Sequence, residues 1–335
     1  MSACIADDTT VREHLRPLQP LLDLPGVRDL CVNRPFEAWL GRDDGWCRHE
    51  VPGLGFRQLQ SLATAVATWT GQHTGERQPL LSATLPGGER VQVVQPGVTA
   101  PGVVALAIRK PASRTLRLAE LGLHGSLAPG QSDPEQEARR LQLVRLHAAG
   151  RHEEFLRLAV RSHCTILVAG KTGCGKTTFM KALVEEVPAA ERLLTIEDAA
   201  ELTLPSHPNK LQLFYSKGGQ GTSAVGAREL LEASLRLRPD RIFLAELRGA
   251  EAYSFLRLAA SGHPGSMSSL HAGSCALAFE QLALMVRESA AGGGMTMDEI
   301  GQLARNVVDV VVHLALRNGR RTITELHFDP RGVHA

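Results

Sequence analysis

The chain contains no Cys-x-x-Cys pair, although it holds six cysteines. Standing singly as Cys4, Cys31, Cys47, Cys164, Cys174 and Cys275, they match neither zinc-ligand spacing nor a disulfide framework. Reduced thiols in a cytosolic protein are the ordinary expectation. Aromatic residues make up only 4% of the chain, and 37 basic side chains nearly cancel 35 acidic ones. There is little support for a stacking platform for single strands or a strongly basic groove, so the chain gives no strong nucleic-acid signal, although a local basic face is compatible with it. No long apolar run is present either. The strongest late one, 307–316, is interrupted by Asp309 and His313 and falls short of the roughly twenty residues a bilayer span needs. Asp7 and Asp8 stand where a signal peptide would be basic and then apolar. These absences leave a soluble, cytoplasmic, globular chain as the expectation.

With 335 residues, 43% of them apolar, there is material for two ordinary domains. The first third reads as a small α+β module. A helix at 15–24 is interrupted by Pro17 and Pro20, and short strands follow at 27–32 and 38–40. An amphipathic helix spans 54–69, and Val-rich strands fill 90–94 and 103–108. The character changes near residue 115. A Pro/Gly/Ser/Asp loop at 129–134 precedes a charged helical stretch at 135–149, which reads as a linker. Beyond it strands at 164–169, 192–196, 210–215, 241–245, 265–270 and 307–314 alternate with helical segments, the pattern of an α/β sheet covered by helices. The expected division is therefore 1–112, a linker at 113–151, and 152–335.

The second part carries one strong motif. Gly170-Lys171-Thr172-Gly173-Cys174-Gly175-Lys176-Thr177, continued by Thr178, has the spacing of a phosphate-binding loop. A buried-strand signal precedes it and a good helix former follows. The glycines let backbone N–H groups turn inward toward phosphate oxygens, and the first helical turn adds its partial positive charge. Lys176 would reach the β- and γ-phosphates of ATP, and the Thr177 hydroxyl would join the shell of Mg²⁺. By composition alone such a pattern arises in roughly one chain in a hundred of this length.

Two acidic positions end later strands. Glu246 follows 241–245, where a carboxylate could hold Mg²⁺ through water. Glu197 and Asp198 follow 193–196, where either could orient the attacking water. Spacing leaves open which of Glu197 and Glu246 has which task, and an acidic turn capping a helix is an ordinary alternative for the first cluster. The strand at 266–270 delivers His271 to the same sheet end, where a γ-phosphate sensor would stand. His263, between glycine and proline, reads equally well as a turn residue. Arg90, Arg109, Lys110 and Arg114 form a basic group near the end of the first module, by default a solvated edge.

Taken in order, these blocks resemble the traffic ATPases of bacterial type IV secretion and conjugation systems, within the wider superfamily of secretion-motor ATPases. Leu85-Pro86-Gly87-Gly88-Glu89-Arg90-Val91-Gln92 and Ile108-Arg109-Lys110-Pro111 are similar to the first-domain signatures. Thr195-Ile196-Glu197-Asp198 resembles the acidic box. Arg238-Pro239-Asp240-Arg241 with Glu246-Leu247-Arg248-Gly249-Ala250-Glu251-Ala252 resembles the atypical Walker B segment. Gly262-His263-Pro264-Gly265 with Leu270-His271-Ala272 resembles the histidine box. The resemblance implies a RecA-like ATPase domain behind a smaller, PAS-like α+β domain, assembled as a homohexamer that binds ATP and Mg²⁺ between its domains. It also implies that Arg90 and Arg109 clamp phosphates, a task suited to a planar guanidinium. The partners implied are other components of a membrane-embedded secretion machine, with room for peripheral contact at the inner membrane. Cys174 departs from the commoner Ser, at a loop position where backbone rather than side chain meets phosphate.

Two other readings are compatible with the motifs. One is a motor of type II secretion or type IV pili, many of whose assembly members carry the paired cysteines missing here. The other is a nucleotide-gated scaffold that binds ATP and scarcely turns it over.

Overall fold

The computed structural model describes residues 8–111, 117, 134–217, 220–289 and 292–330. The loop expected at 129–134 lies almost wholly outside them, as do Arg114 and most of the linker before residue 134.

Two short helices open the chain, α1 (Thr9–Leu15) and α2 (Gln19–Leu22), where one broken helix was expected. Pro17 lacks an N–H for a continuous helix, whereas Pro20 sits in the first turn of α2, where that N–H would be unpaired anyway. Strands β1 (Asp29–Val32), β2 (Glu37–Arg42) and β3 (Gly45–Glu50) lead to helix α3 (Phe56–Trp69), which is followed by β4 (Leu80–Thr84), β5 (Arg90–Val94) and β6 (Ala105–Arg109). These strands form one sheet in the order β3-β2-β1-β6-β5-β4, every pair antiparallel. Helix α3 presents Leu59, Leu62, Ala63 and Val66, at helical spacing, to the interior beside that sheet.

Helices α4 (Pro134–Ala148) and α5 (His152–Arg161) then lead into the second sheet. Its elements are β7 (Ile166–Gly170), α6 (Lys176–Val184), β8 (Leu193–Glu197), β9 (Lys210–Phe214), α7 (Ala227–Ser234), β10 (Arg241–Leu244), α8 (Glu251–Ala260) and β11 (Met267–Leu270). Helices α9 (Cys275–Glu288) and α10 (Met297–Val307) precede the closing hairpin of β12 (Val310–Arg317) and β13 (Arg320–Phe328). The strand order is β13-β12-β7-β11-β10-β8-β9, parallel throughout except for the antiparallel edge strand β13. Strands β7, β8, β10 and β11 are buried along their whole length, as befits a parallel sheet with helices on both faces. This is the expected α/β class, with a smaller α+β sheet ahead of it. Among the described residues no helix is long and apolar enough to cross a membrane.

The two sheets share a core. Cys31, Trp39, Val94, Val98 and Ala107 of the first pack in one apolar cluster with Leu211, Leu213, Leu230 and Leu237 of the second. A polar knot closes the seam. Arg192, fully buried, donates to Asn33 Oδ1 at 2.5 Å, Asn209 Oδ1 at 2.7 Å and the Leu237 carbonyl at 3.1 Å. Trp46 donates to Asp240 Oδ2 at 3.0 Å, and its ring lies under Arg192, 5.7 Å from the guanidinium carbon.

One buried acid makes stability depend on pH. Asp309, just before β12, accepts the Thr165 N–H at 2.6 Å, and burial pushes its carboxyl up from 3.8 to about 7. The native protein therefore holds this proton more tightly than the unfolded chain does. The stabilisation is complete below about pH 4 and is lost as pH rises toward 7. Asp309→Asn is expected to flatten the slope, so the melting-temperature difference between wild type and variant should change between pH 5 and pH 7.5. A constant difference would refute this assignment.

Candidate nucleotide-binding site

Because β7, β8, β10 and β11 are parallel, their C-terminal ends lie on one edge of the sheet, which is the general location of ligand sites in such folds. The phosphate loop leaves β7 there. Gly170, Gly173 and Gly175 have φ of +154°, +77° and +98°, conformations that side chains rarely tolerate. At Gly170 space adds to the constraint, since a Cβ would stand 2.5 Å from the Leu314 carbonyl and 2.6 Å from Cys174 Sγ.

Lys176, the first residue of α6, is buried, its side chain only 9% exposed. Its ammonium donates to the Gly170 carbonyl at 3.1 Å and meets His271 Nδ1 at 3.3 Å and Glu246 Oε1 at 3.8 Å. His271 closes the triangle, with Nε2 2.7 Å from the same Glu246 oxygen. With Nδ1 accepting from the lysine, Nε2 carries the ring proton and donates to the carboxylate. Glu246 is held from its other side by Arg248, which also reaches Asp198 at 3.3 Å. Burial pushes the Glu246 carboxyl above its ordinary range, while His271 and Lys176 pull it back down.

Glu197 is differently placed. It is fully buried; Oε1 accepts from Thr195 Oγ1 at 2.6 Å, and Oε2 accepts the Glu201 and Leu202 N–H groups at 2.8 and 2.7 Å. Its neighbour Asp198 faces outward to Lys217 at 2.5 Å and to Arg248. His263 precedes β11 and so stands at the opposite edge of the sheet from His271. Lys171, Thr172 and Thr178 are exposed on the loop and first helical turn, Cys174 is buried beneath them, and Thr177 is half-buried.

Arg90 and Arg109 face each other across β5 and β6, and Arg109 lies 3.9 Å from Asp29. They line a cavity of about 420 Å³ with Arg236 and Arg238, not with the phosphate loop. Arg238 pairs with Asp29 at 3.3 Å just before β10, so the group adjoins the N-terminal ends of the parallel strands. The phosphate loop is at the other end.

Oxygen donors suit Mg²⁺, which is commonly held by one or two carboxylates, a hydroxyl, water and substrate phosphates. Thr177 and Glu246 supply such a set. No cluster of three or more His, Cys, Asp or Glu side chains that could hold a metal unaided occurs among the described residues. Arg248 lies within the Walker B-like block, but the sequence alone assigns it no role. Its grip on both Glu246 and Asp198 emerges only in the fold.

A parallel sheet, a glycine loop entering a helix, and a buried lysine beside a carboxylate and a histidine from neighbouring strands define a P-loop nucleotide hydrolase of the RecA-like kind. Residues 134–327 match the family model described as Type II/IV secretion system protein. The chain is 44% identical to the type IV secretion system protein VirB11 of Brucella suis biovar 1, over 99% of this chain and 94% of that one. It is 42% identical to PtlH, a type IV secretion system protein of Bordetella pertussis, over 94% of each. The crystal structure of the Brucella suis VirB11 ATPase in complex with sulphate superposes with a TM-score of 0.90 at 44% identity, covering 97% of this chain and 96% of that one. The chain belongs to the VirB11 family of type IV secretion ATPases.

Proposed function

We propose that this chain is a Mg²⁺-dependent ATP hydrolase that powers assembly of, or substrate transfer through, a type IV secretion system. It would act at the cytoplasmic face of the inner membrane beside the other components of that machine. The observation that carries the reading is the meeting of Lys176, His271 and Glu246 within 4 Å at the mouth of the phosphate loop.

In this reading the loop N–H groups and Lys176 bind the β- and γ-phosphates, and Glu246 orients the attacking water. His271 bridges Lys176 and Glu246, so its hydrogen bonds change when the γ-phosphate leaves. Thr177 and, through water, Glu246 are the residues that would hold Mg²⁺, whose charge would neutralise the phosphate oxygens. Glu197 braces the turn at 198–202 and thereby positions Asp198 and Arg248 behind Glu246. The working unit is a homohexamer of chains divided at 1–112, 113–151 and 152–335, closed by ATP and released by hydrolysis.

Arg90 and Arg109 fit this scheme as contributors to a neighbouring subunit's site, because their own chain's phosphate loop lies at the far end of the sheet. Subunit mixing tests this. Arg109→Ala and Lys176→Ala should each be nearly inactive, and equal mixtures should recover roughly a quarter of the wild-type rate through hybrid sites. Mixtures no more active than their parents would refute sharing between subunits.

A further inference from the structure

The β12–β13 hairpin carries three arginines that the chemistry above does not use. Strand β12 runs parallel to β7 with Leu314 opposite Gly170, so the residues beyond Leu314 rise past the sheet edge beside the phosphate loop. Asn318 and Gly319, at φ +51° and +76°, reverse the chain in two residues. That tight turn sets Arg317 opposite Arg320 and Leu316 opposite Arg321.

All three arginines are exposed, and among the described residues their guanidinium groups make no hydrogen bond and no ion pair. Like charges directly across a strand pair are unfavourable. Arg321 is placed still less comfortably. A Cβ added to Gly175 would run into its Nε and Cδ, so the side chain lies over the last glycine of the loop. There it meets the positive end of α6, which repels it. An exposed guanidinium gains nothing from such a place unless an anion shares it.

We propose that Arg321 is a ligand of the nucleotide's phosphate chain, pairing with α- or β-phosphate oxygens from the open side of the loop, while Arg317 and Arg320 add to the attracting field. The proposal rests on the nucleotide-site reading above and adds a residue from the far end of the chain. It also gives the hairpin a task that packing does not supply.

The test is equilibrium competition on the full-length protein against a fluorescent ADP analogue, with ADP and inorganic tripolyphosphate as competitors. A charge-assisted hydrogen bond at an exposed site predicts about tenfold weaker binding for Arg321→Ala, equal for both competitors. Arg321→Lys should recover part of the loss, since charge is kept and the fork is not. In turnover the KM for ATP should rise by the same factor. Binding within twofold of wild type would overturn the proposal. So would a loss confined to ADP, which would assign Arg321 to the base. Lys176→Ala separates the two readings. If that variant binds ADP like wild type, the nucleotide site itself is misassigned, whatever Arg321 does.

Discussion

Replacing Lys176 with alanine is expected to abolish ATP turnover, lowering the rate by about 10²–10³-fold with the fold intact. The side chain is already buried and aimed, with the Gly170 carbonyl, His271 and Glu246 around its ammonium. Such an arrangement costs little reorganisation when charge develops on the transferring phosphoryl group. The variant loses a second effect as well. Lys176, with His271, pulls the Glu246 carboxyl down against burial. Without it Glu246 retains its proton to higher pH, and the carboxylate proposed to orient water is depleted. Phosphate release measured with and without Mg²⁺ checks the prediction, and undiminished turnover would refute it.

Changing Glu246 to glutamine is expected to lower kcat by about 10²–10⁴-fold while leaving ATP bound. The amide preserves shape and can still meet His271, but it cannot accept a proton or hold charge. The pH profile supplies an independent check. In the proposed reading Glu246 acts as a carboxylate, and burial raises its pKa. The rate of the wild type should therefore fall, as pH drops, at a value above the ordinary glutamate range near 4.3. In the variant this acidic limb disappears from the residual rate. A chain serving only as a nucleotide-gated scaffold would show equal, negligible rates in both forms, and that result would exclude the hydrolase reading.

Much of this site was legible before any fold was drawn. The eight residues from Gly170 to Thr177 announce their chemistry because the phosphate cradle is local, made by backbone a few residues apart and by the helix start that follows. Runs such as 166–169 and 242–245 are apolar without alternation, which marks strands buried on both faces. Edge strands carry weaker signals. β3 is largely exposed, β4 is short and half-buried, and β13 opens with Arg320 and Arg321, so none reads as a strand until its partner is known.

Glu197 and Glu246 illustrate the limit most clearly. Each is an acid at the end of an apolar strand, and by local pattern they are interchangeable. Long-range pairing separates them. Insertion of β11 between β7 and β10 brings His271 and Glu246 beside Lys176. Glu197, one strand farther out, is taken up by the Thr195 hydroxyl and the backbone of its own turn. Arg90 and Arg109 are placed by the same kind of decision, since the first sheet docks on the edge of the second with these residues toward the strands' N-terminal ends. The amino-acid order by itself determined the phosphate loop and the α/β class and singled out the candidate side chains, because loop and strand patterns follow from interactions within a few residues. Which of those side chains meet was decided by strand order and by the docking of one sheet on the other, through contacts between residues 95 positions apart at the loop and 209 apart where the sheets dock.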